Sequence, residues 1–596
     1  MKHYKIQMLD GKNLYYSFLS GAKKIIEHQK ELNKLNVFPV PDADTGTNMA
    51  STIRSVVERI RPNRCYKTTA DAIADAALDG ARGNSGVIFA QFLYGMSAET
   101  SNCQQITIDS FAESAKRSVQ YIYDAIANPI EGTILTVIRE WADYIYANKN
   151  KLDDFVKLLT SSLEIANKSL LETANRIKNI SVVDAGAKGF VLFLEGIIEW
   201  IKSSDIREVL QFGLEHAIEE TVLDTDIHEN ITFRYCTEAM MRDCSLSAKE
   251  VRELINDMGD SIVIAGSPKL LRLHIHTDNP QDVFVKLSPY GTLTYQKGDD
   301  MRKQYEAAHA RKWNIALVTD SGCDLPSEIF DQYQIHFAPI NIYFGENHYL
   351  DKVTLTPEHF FNLLEKGEHW PTSAQVKEKT FENLYSHLAS HYDSIIAVHV
   401  SSKFSGTWNT SRLAAETIGR EMNKKITVID SGHLSGTEGL VTLRIAQAIE
   451  AGLDHDTIVS QAEEWKKKTR ILVSVKSLHN IIKGGRISPM KGFIANLLGL
   501  KPVITTGNDG GLTMLSKTFT QKANMKKVMK EIANMQRNNK FWNYIVLHVR
   551  HEEAASFFAA EMEKLTGRKP FATIDVTPIM GLNAGKEAVG VALMTE

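Results

Sequence analysis

Cysteine is scarce in this sequence. There are five (Cys65, Cys103, Cys236, Cys244 and Cys323), scattered and odd in number, which argues against a disulfide framework and for a reducing compartment. Proline is sparing too, at 15 of 596 residues. With 43% hydrophobic and 23% charged residues, the composition excludes a disordered, collagen-like or coiled-coil chain. No excess of one charge exists: 68 basic and 72 acidic residues leave a net charge of −4. A global polycation to hold a nucleic-acid backbone is therefore missing, and nucleic acid is not expected as a partner. Long apolar runs are absent as well. The most apolar stretch, Gly189–Ile201, is interrupted by Glu195 and Glu199 and falls short of the ~20 residues needed to span a bilayer. Met1–Leu14 lacks the apolar core of a signal peptide. The expectation is a cytoplasmic protein.

What remains is size and texture. At roughly 100–200 residues per domain, the length predicts several domains. Residues 1–205 read as helix after helix, with apolar positions at helical spacing in Ala70–Leu78, Phe111–Ala127, Ile134–Ala147 and Phe155–Leu171. No strand pattern stands out there, which predicts an all-α domain. Residues 206–310 read as a small α+β unit, with strands at Ile231–Cys236 and Leu271–His276 and a helix at Ala248–Asp257. In residues 311–596, short Val- and Ile-rich runs alternate with helices: Ile315–Thr319, Ser394–His399, Ile426–Ile429, Ile471–Val475 and Tyr544–Val549. That alternation predicts parallel βαβ units.

The densest chemistry lies in Asn36-Val-Phe-Pro-Val-Pro-Asp-Ala-Asp-Thr-Gly-Thr-Asn48. Pro39 and Pro41 exclude regular helix and make a stiff turn. Asp42 and Asp44 lie two apart on it, followed by Thr45, Thr47 and Asn48. Hard oxygen ligands on a stiff loop suit Mg²⁺, which completes its shell with waters and phosphates; the same residues also suit an Asx-turn and helix N-cap. Gly80-Ala-Arg-Gly-Asn-Ser-Gly86, Pro129–Thr136 and Ser181–Gly189 are three further loop-to-helix junctions, and two of them place glycines where backbone N–H groups can meet an anion.

These four segments, in this order, resemble the nucleotide-binding DhaL domain of the dihydroxyacetone-kinase family, and most closely its version in bacterial fatty acid kinases. The resemblance covers about residues 10–200 and implies an antiparallel helical barrel binding ATP and Mg²⁺. It implies that Asp42 and Asp44 hold magnesium, as the catalytic and metal-binding pair, and that Asn36 lies near a third family carboxylate position. It implies further that Thr45, Thr47, Asn48, Gly83, Ser85 and Gly86 contact phosphates, and that Thr133, Asp184 and Gly186 surround the nucleotide. Ala43 departs from the family's usual glycine.

In the middle segment, His274 and His276 lie two apart on a predicted strand and share one face, and Cys236 ends another. If the strands are neighbours, one thiolate and two imidazoles suit Zn²⁺; otherwise they are two strand histidines and a buried thiol. The Tyr-Cys-Thr-Glu and His-Ile-His-Thr-Asp-Asn-Pro motifs resemble the middle domain of fatty acid kinases, which implies a Cys/His/His metal site.

In the last third, the hydroxyl-rich loops at Thr319–Cys323, Thr372–Gln375 and Ser401–Thr407 suit either a bound carboxylate or ordinary helix caps. With Gly484-Gly-Arg-Ile487 they resemble the DegV family of fatty-acid-binding proteins. That resemblance implies two α/β lobes around one acyl chain, its carboxylate clamped by Thr372, Ser373, Ser405, Gly406 and Thr407 near Arg486. The family's His-x-Gly-Pro-Gly motif is not kept, and Asn583 stands at the histidine position. Lys-rich Trp465–Arg470 and Lys522–Lys530 read as solvated helix faces or as a membrane-touching surface.

The resemblances together imply an ATP-dependent fatty acid kinase fused to its own acyl-binding domain, with a long-chain fatty acid as partner. A homodimer and a downstream acyltransferase at the membrane surface complete that expectation. The alternatives are a kinase for dihydroxyacetone or a similar small molecule, and a non-catalytic lipid-binding regulator.

Overall fold

The computed structural model describes residues 5–36, 44–126, 129–176, 182–203, 231–486, 501–507 and 509–596. Asp42, Ala43, Ile487 and the expected boundary near 205 lie outside them. The chain divides into two compact units, Met1–Tyr305 and Glu306–Glu596.

In the first unit a run of helices comes first: α1 (Gly11–Glu27), α2 (Gln29–Leu35), α3 (Thr45–Arg59), α4 (Tyr66–Gly80), α5 (Gly83–Ala98), α6 (Ile108–Ala125), α7 (Ile134–Asn148), α8 (Phe155–Arg176) and α9 (Ala185–Ser203). Their boundaries follow caps. Asp10 and Asn13 form a reciprocal capping box on α1, and Thr107 and Thr133 cap α6 and α7. The all-α expectation needs one correction, because three-residue strands β1 (Met8–Asp10) and β2 (Gln105–Thr107) pair antiparallel. They were too short to leave an alternating pattern.

Helix α5 runs through the middle of this unit and buries Val87, Phe89, Ala90 and Phe92. Phe89 meets Phe193 of α9 edge-to-face at 5.0 Å, and Trp141 of α7 meets Phe190 at 5.7 Å. Each such pair stabilises by about 0.5–1.5 kcal/mol beyond area burial. The helices line an apolar cavity of about 100 Å³ bounded by Phe18, Phe92, Trp141 and Phe193.

The same unit continues into an antiparallel sheet with strand order β4-β5-β3-β6: β3 (Tyr235–Arg242), β4 (Asp260–Ser267), β5 (Leu270–Thr277) and β6 (Thr292–Asp300). Here the expected strand at Ile231–Cys236 shifts. Cys236 lies near the start of β3, not at its end, and β4 and β6 were not anticipated. The period-two alternation of Leu271-Arg-Leu-His-Ile-His276 sorts the faces. Leu271, Leu273 and Ile275 join a core with Ile262, Ile264 and the helices Ala248–Ile255 and Pro280–Leu287. Val263 and Ala265, on the other face, join the helical core. Val263 pairs with His274 and Ala265 with Arg272, so the polar residues of β5 face the helices.

In the second unit a parallel sheet has the order β13-β12-β7-β8: β7 (Ile315–Asp320), β8 (His336–Ala338), β12 (Ser394–His399) and β13 (Lys425–Asp430). A small antiparallel sheet joins β9 (Asn341–Phe344), β10 (Asn347–Leu350) and β11 (Thr372–Ala374). A six-stranded sheet has the order β16-β15-β14-β19-β17-β18: β14 (Thr469–Ser474), β15 (Lys501–Thr506), β16 (Leu512–Thr518), β17 (Phe541–His548), β18 (Ala572–Asp575) and β19 (Val589–Thr595). The expectation of parallel βαβ units holds for the first of these sheets and fails for the last, where among the described residues only β17 and β18 run parallel. Apolar runs of this length do not carry strand direction. Among the described residues no helix is long and apolar enough to cross a membrane.

Candidate functional site

Four helix starts meet in the first unit. Gly83, at the head of α5 with φ +53°, approaches Asn48 of α3 so closely that a Cβ would lie 2.0 Å from the Asn48 amide nitrogen. A Cβ on Gly86 would lie 2.4 Å from Thr52 Oγ1. Gly186, in the first turn of α9, faces Ser85 and Ile134. Asp184 Oδ1 accepts from Ile134 N of α7 at 3.0 Å and from Ala187 N of α9 at 2.7 Å; burial pushes its carboxyl up to about 6. The aligned N–H dipoles of α3, α5, α7 and α9 thus converge, an arrangement suited to a polyanion. Gly83 and Gly86 admit no side chain because the start of α5 packs directly on Asn48 and Thr52 of α3; the converging positive ends of the helix dipoles are the feature that fits a bound nucleotide.

Not every expected phosphate contact faces this convergence. Thr47 Oγ1 accepts from Gln29 Nε2 at 3.1 Å and Asn33 Nδ2 at 3.0 Å, which fixes α2 against α3. Thr45 and Asn36 are buried beside it. Thr133 caps α7. Asp44 occupies the N-cap position of α3 and makes no side-chain cap bond there.

The sheet supplies a second cluster. β3 and β5 are neighbours, with Cys236 opposite His276 and Glu238 opposite His274. Cys236 Sγ lies 4.0 Å from His274 Nδ1, and the ligand atoms of Cys236, His274 and His276 all lie within 4.8 Å of one another. A tetrahedral Zn²⁺ would set a sulfur–nitrogen edge of roughly 3.6 Å, so the donor set fits with a slight closure. Burial pushes the Cys236 thiol well up, and burial with His276 beside it holds His274 down at about 3. A neutral imidazole is ready to bind, and a cation would favour the thiolate. Asp44 acts electrostatically on Cys236, so Asp44 itself lies near the Cys/His/His cluster.

Glu238 joins the two clusters, and sequence reasoning gave it no role. Its carboxylate is buried. Oε1 accepts from Gly83 N at 3.1 Å; Oε2 accepts from Arg272 Nη2 at 2.8 Å and Arg82 Nη1 at 3.3 Å. Burial alone would raise this carboxyl, but Lys297, Arg272 and Arg82 outweigh it and hold it well below the usual range. Its sequence signals were its place in the Tyr-Cys-Thr-Glu motif and its position two residues after Cys236, on the same strand face.

In the second unit, Ser405 Oγ pairs with Thr407 Oγ1 at 2.8 Å and caps the helix Thr407–Glu421 through Thr407 N at 3.1 Å. A Cβ on Gly406 would meet Gln375 Oε1 at 1.7 Å. Ser373 on β11 accepts from Arg486 Nη2 at 3.1 Å; Thr372 beside it is exposed. An apolar cavity of about 80 Å³, lined by Ile471, Val475, Ile504, Leu547 and Met580, also touches Asn583, Ser435 and His548. The last two were not anticipated. The clamp residues do not line this cavity. The link runs through Asn583, whose oxygen lies 2.7 Å from a Cβ built on Gly484, two residues before Arg486. Asn583 Nδ2 donates to Ile579 O at 2.8 Å, so its oxygen, an acceptor, faces Gly484. The Lys-rich helices are solvated faces in part: Lys466 pairs with Glu463 and Lys527 with Glu531.

Comparison with known proteins matches residues 39–199 to the DAK2 domain. Residues 232–308 match the FakA-like middle domain of fatty acid kinases, and residues 314–596 the DegV family, described as uncharacterised. An uncharacterized Staphylococcus saprophyticus protein is 34% identical over 315 residues, 50% of this chain and 56% of that protein. One from Staphylococcus epidermidis is 32% identical over 354 residues, 54% of this chain and 64% of that protein. The chain therefore spans under two thirds of the length of these curated relatives. A solved Bacillus subtilis DegV, described as a fatty acid binding protein, is 26% identical with a TM-score of 0.44, covering 48% of this chain and all of that one. A Thermus thermophilus DegV family protein, described by its fatty acid binding, is 24% identical with a TM-score of 0.44 and the same coverage.

Proposed function

We propose that this chain, which joins a DAK2 domain, a FakA-like middle domain and a DegV domain, phosphorylates a long-chain fatty acid carboxylate with ATP. The convergence of four helix starts on a glycine cradle beside Asp44 is the observation that carries this reading. The reaction moves the γ-phosphoryl group. A carboxylate oxygen bonds to the γ-phosphorus, the bond to the departing ADP oxygen breaks, and an acyl phosphate forms. A carboxylic acid with a solution pKa near 4.3 is already ionised at neutral pH, so no general base is needed. Positioning and charge neutralisation carry the rate.

Mg²⁺, held by Asp44 and Asp42, supplies charge neutralisation at the phosphates when bound. The positive ends of the α5, α7 and α9 dipoles, with Asn48 and Ser85, orient the polyphosphate. The Cys236/His274/His276 cluster would hold Zn²⁺, with one thiolate and two imidazoles as ligands. In the C-terminal domain Arg486 and Ser373 meet the acid's carboxylate, and the apolar cavity beside Asn583 takes the chain. Joining the modules places them at roughly millimolar effective concentration. An acyltransferase at the membrane surface is the class of enzyme that would consume the product.

The test is purified protein with ATP–Mg²⁺ and oleic acid, the acyl phosphate being trapped as its hydroxamate. Stoichiometric lipid and nucleotide binding without hydroxamate would refute the kinase reading and leave a lipid-binding regulator. Phosphorylation of dihydroxyacetone, indifferent to added lipid, would favour the small-molecule kinase; the C-terminal apolar cavity speaks against it.

A further inference from the structure

The head of α5 is held from outside its own domain. Gly83 is the first residue of the helix, and its N–H is spent on a carboxylate from strand β3 at 3.1 Å. Arg82, immediately before it, donates to the same carboxylate and to Tyr295 on β6 at 2.8 Å, and its backbone N–H donates to Thr52 of α3 at 3.3 Å. Arg82 and Arg272 both lie over the Tyr295 ring, at 5.0 and 4.7 Å. Two guanidinium groups therefore share one ring and one carboxylate. Removing that carboxylate leaves two neighbouring guanidinium groups without the carboxylate they share, one of them, Arg272, fully buried.

We propose that Glu238 is a positioning residue: by fixing Arg82 and Gly83 to strand β3 it sets the orientation of the phosphate-facing start of α5. The geometry is specific to that role. Gly83 has φ +53°, a left-handed conformation that must be held by its surroundings. Its neighbours Asn84, Ser85 and Gly86 are the residues facing the other helix starts. A drift of the Arg82–Gly83 peptide would rotate those N–H groups away from one another. Glu238 lies two residues from Cys236 and its Oε1 lies 4.0 Å from His274 Nδ1, so the loop inherits its placement from the sheet that carries the Cys/His/His cluster. The inference rests on the kinase reading for the identity of the ligand, but not for the mechanics of the loop.

Two readouts separate these. Hydrogen–deuterium exchange of the full chain, compared between wild type and Glu238→Gln, is expected to speed exchange at least tenfold in peptides covering 80–90. Peptides of α7, which does not touch the carboxylate, stay unchanged. Exchange within twofold of wild type at 80–90 overturns the proposal, as does an equal acceleration everywhere. Should Glu238→Gln fail to fold, Tyr295→Phe removes only the hydroxyl that steadies Arg82; a roughly threefold local acceleration is expected, and none overturns the proposal. The second readout is steady-state kinetics. Glu238→Gln is expected to raise KM for ATP tenfold or more with kcat within threefold, and a loss confined to kcat contradicts positioning. If wild type binds no ATP, the kinase reading falls while the exchange result still decides the role of Glu238.

Discussion

Asp351 makes the stability of the C-terminal unit depend on pH with a definite sign. It is fully buried, and its Oδ1 accepts from Ile579 N at 3.1 Å at the head of the helix Pro578–Ala584, which carries Asn583. Burial is the largest influence on it and pushes its carboxyl from the ordinary 3.8 up to about 7, against the opposing pull of Ser321, Lys352 and the Ile579 N–H. Because the folded-state value is the higher one, the folded protein retains a proton that the unfolded chain releases between about pH 4 and 7. The stabilisation is therefore complete below the unfolded value and is lost as pH rises through the folded one. A raised folded-state value of about 7 makes about 4 kcal/mol the ceiling, most of which is lost between pH 5 and pH 8. Against a typical net stability of 5–15 kcal/mol this is measurable. Urea denaturation followed by tryptophan fluorescence, at pH 5 and pH 8, compares wild type with Asp351→Asn. The variant has no proton to lose, so the difference in stability between the two proteins should change by about 2–3 kcal/mol across that interval. Parallel pH profiles, or a wild type that gains on the variant as pH rises, would refute the argument.

Other perturbations address the two candidate sites. Gly83→Ala places a Cβ 2.0 Å from the Asn48 amide at φ +53°. It is expected to weaken ATP–Mg²⁺ binding at least tenfold by calorimetry and to cost about 1–3 kcal/mol of stability. Elemental analysis should find about one zinc per chain, falling below a tenth in Cys236→Ser with His274→Ala; full occupancy in that double variant would remove the cluster from consideration. Arg486→Ala deletes the guanidinium that meets Ser373 and is expected to weaken binding of a fluorescent fatty acid about tenfold, roughly the worth of one charge-assisted hydrogen bond of 1.5–3 kcal/mol. Lys564→Ala, which removes an exposed cation paired with Glu561, serves as its control and should leave that affinity within twofold.

The sequence by itself determined what depends on local chemistry. Helical spacing located α4, α6, α7 and α8 because side-chain periodicity is set by the backbone of one segment. The stiff acidic turn and glycine-rich junctions were visible because proline and glycine act on their own φ and ψ. The pair His274 and His276 was visible because a strand repeats every two residues. What only the tertiary structure decided was which of these segments meet. Strand direction in the six-stranded sheet was not legible, since an apolar run such as Tyr544–Val549 is buried equally well in either sense. That Cys236 opposes His276 follows from the register of β3 and β5, which no residue in either strand announces alone. Thr47 illustrates the same limit: the resemblance implied a phosphate contact for it, and the structure gives its hydroxyl to Gln29 and Asn33. Glu238 was hidden for the strongest reason. Its significance lies in Gly83, 155 residues away, and a contact of that range is created by packing two domains together, where burial makes an unpaired charge too costly to leave alone.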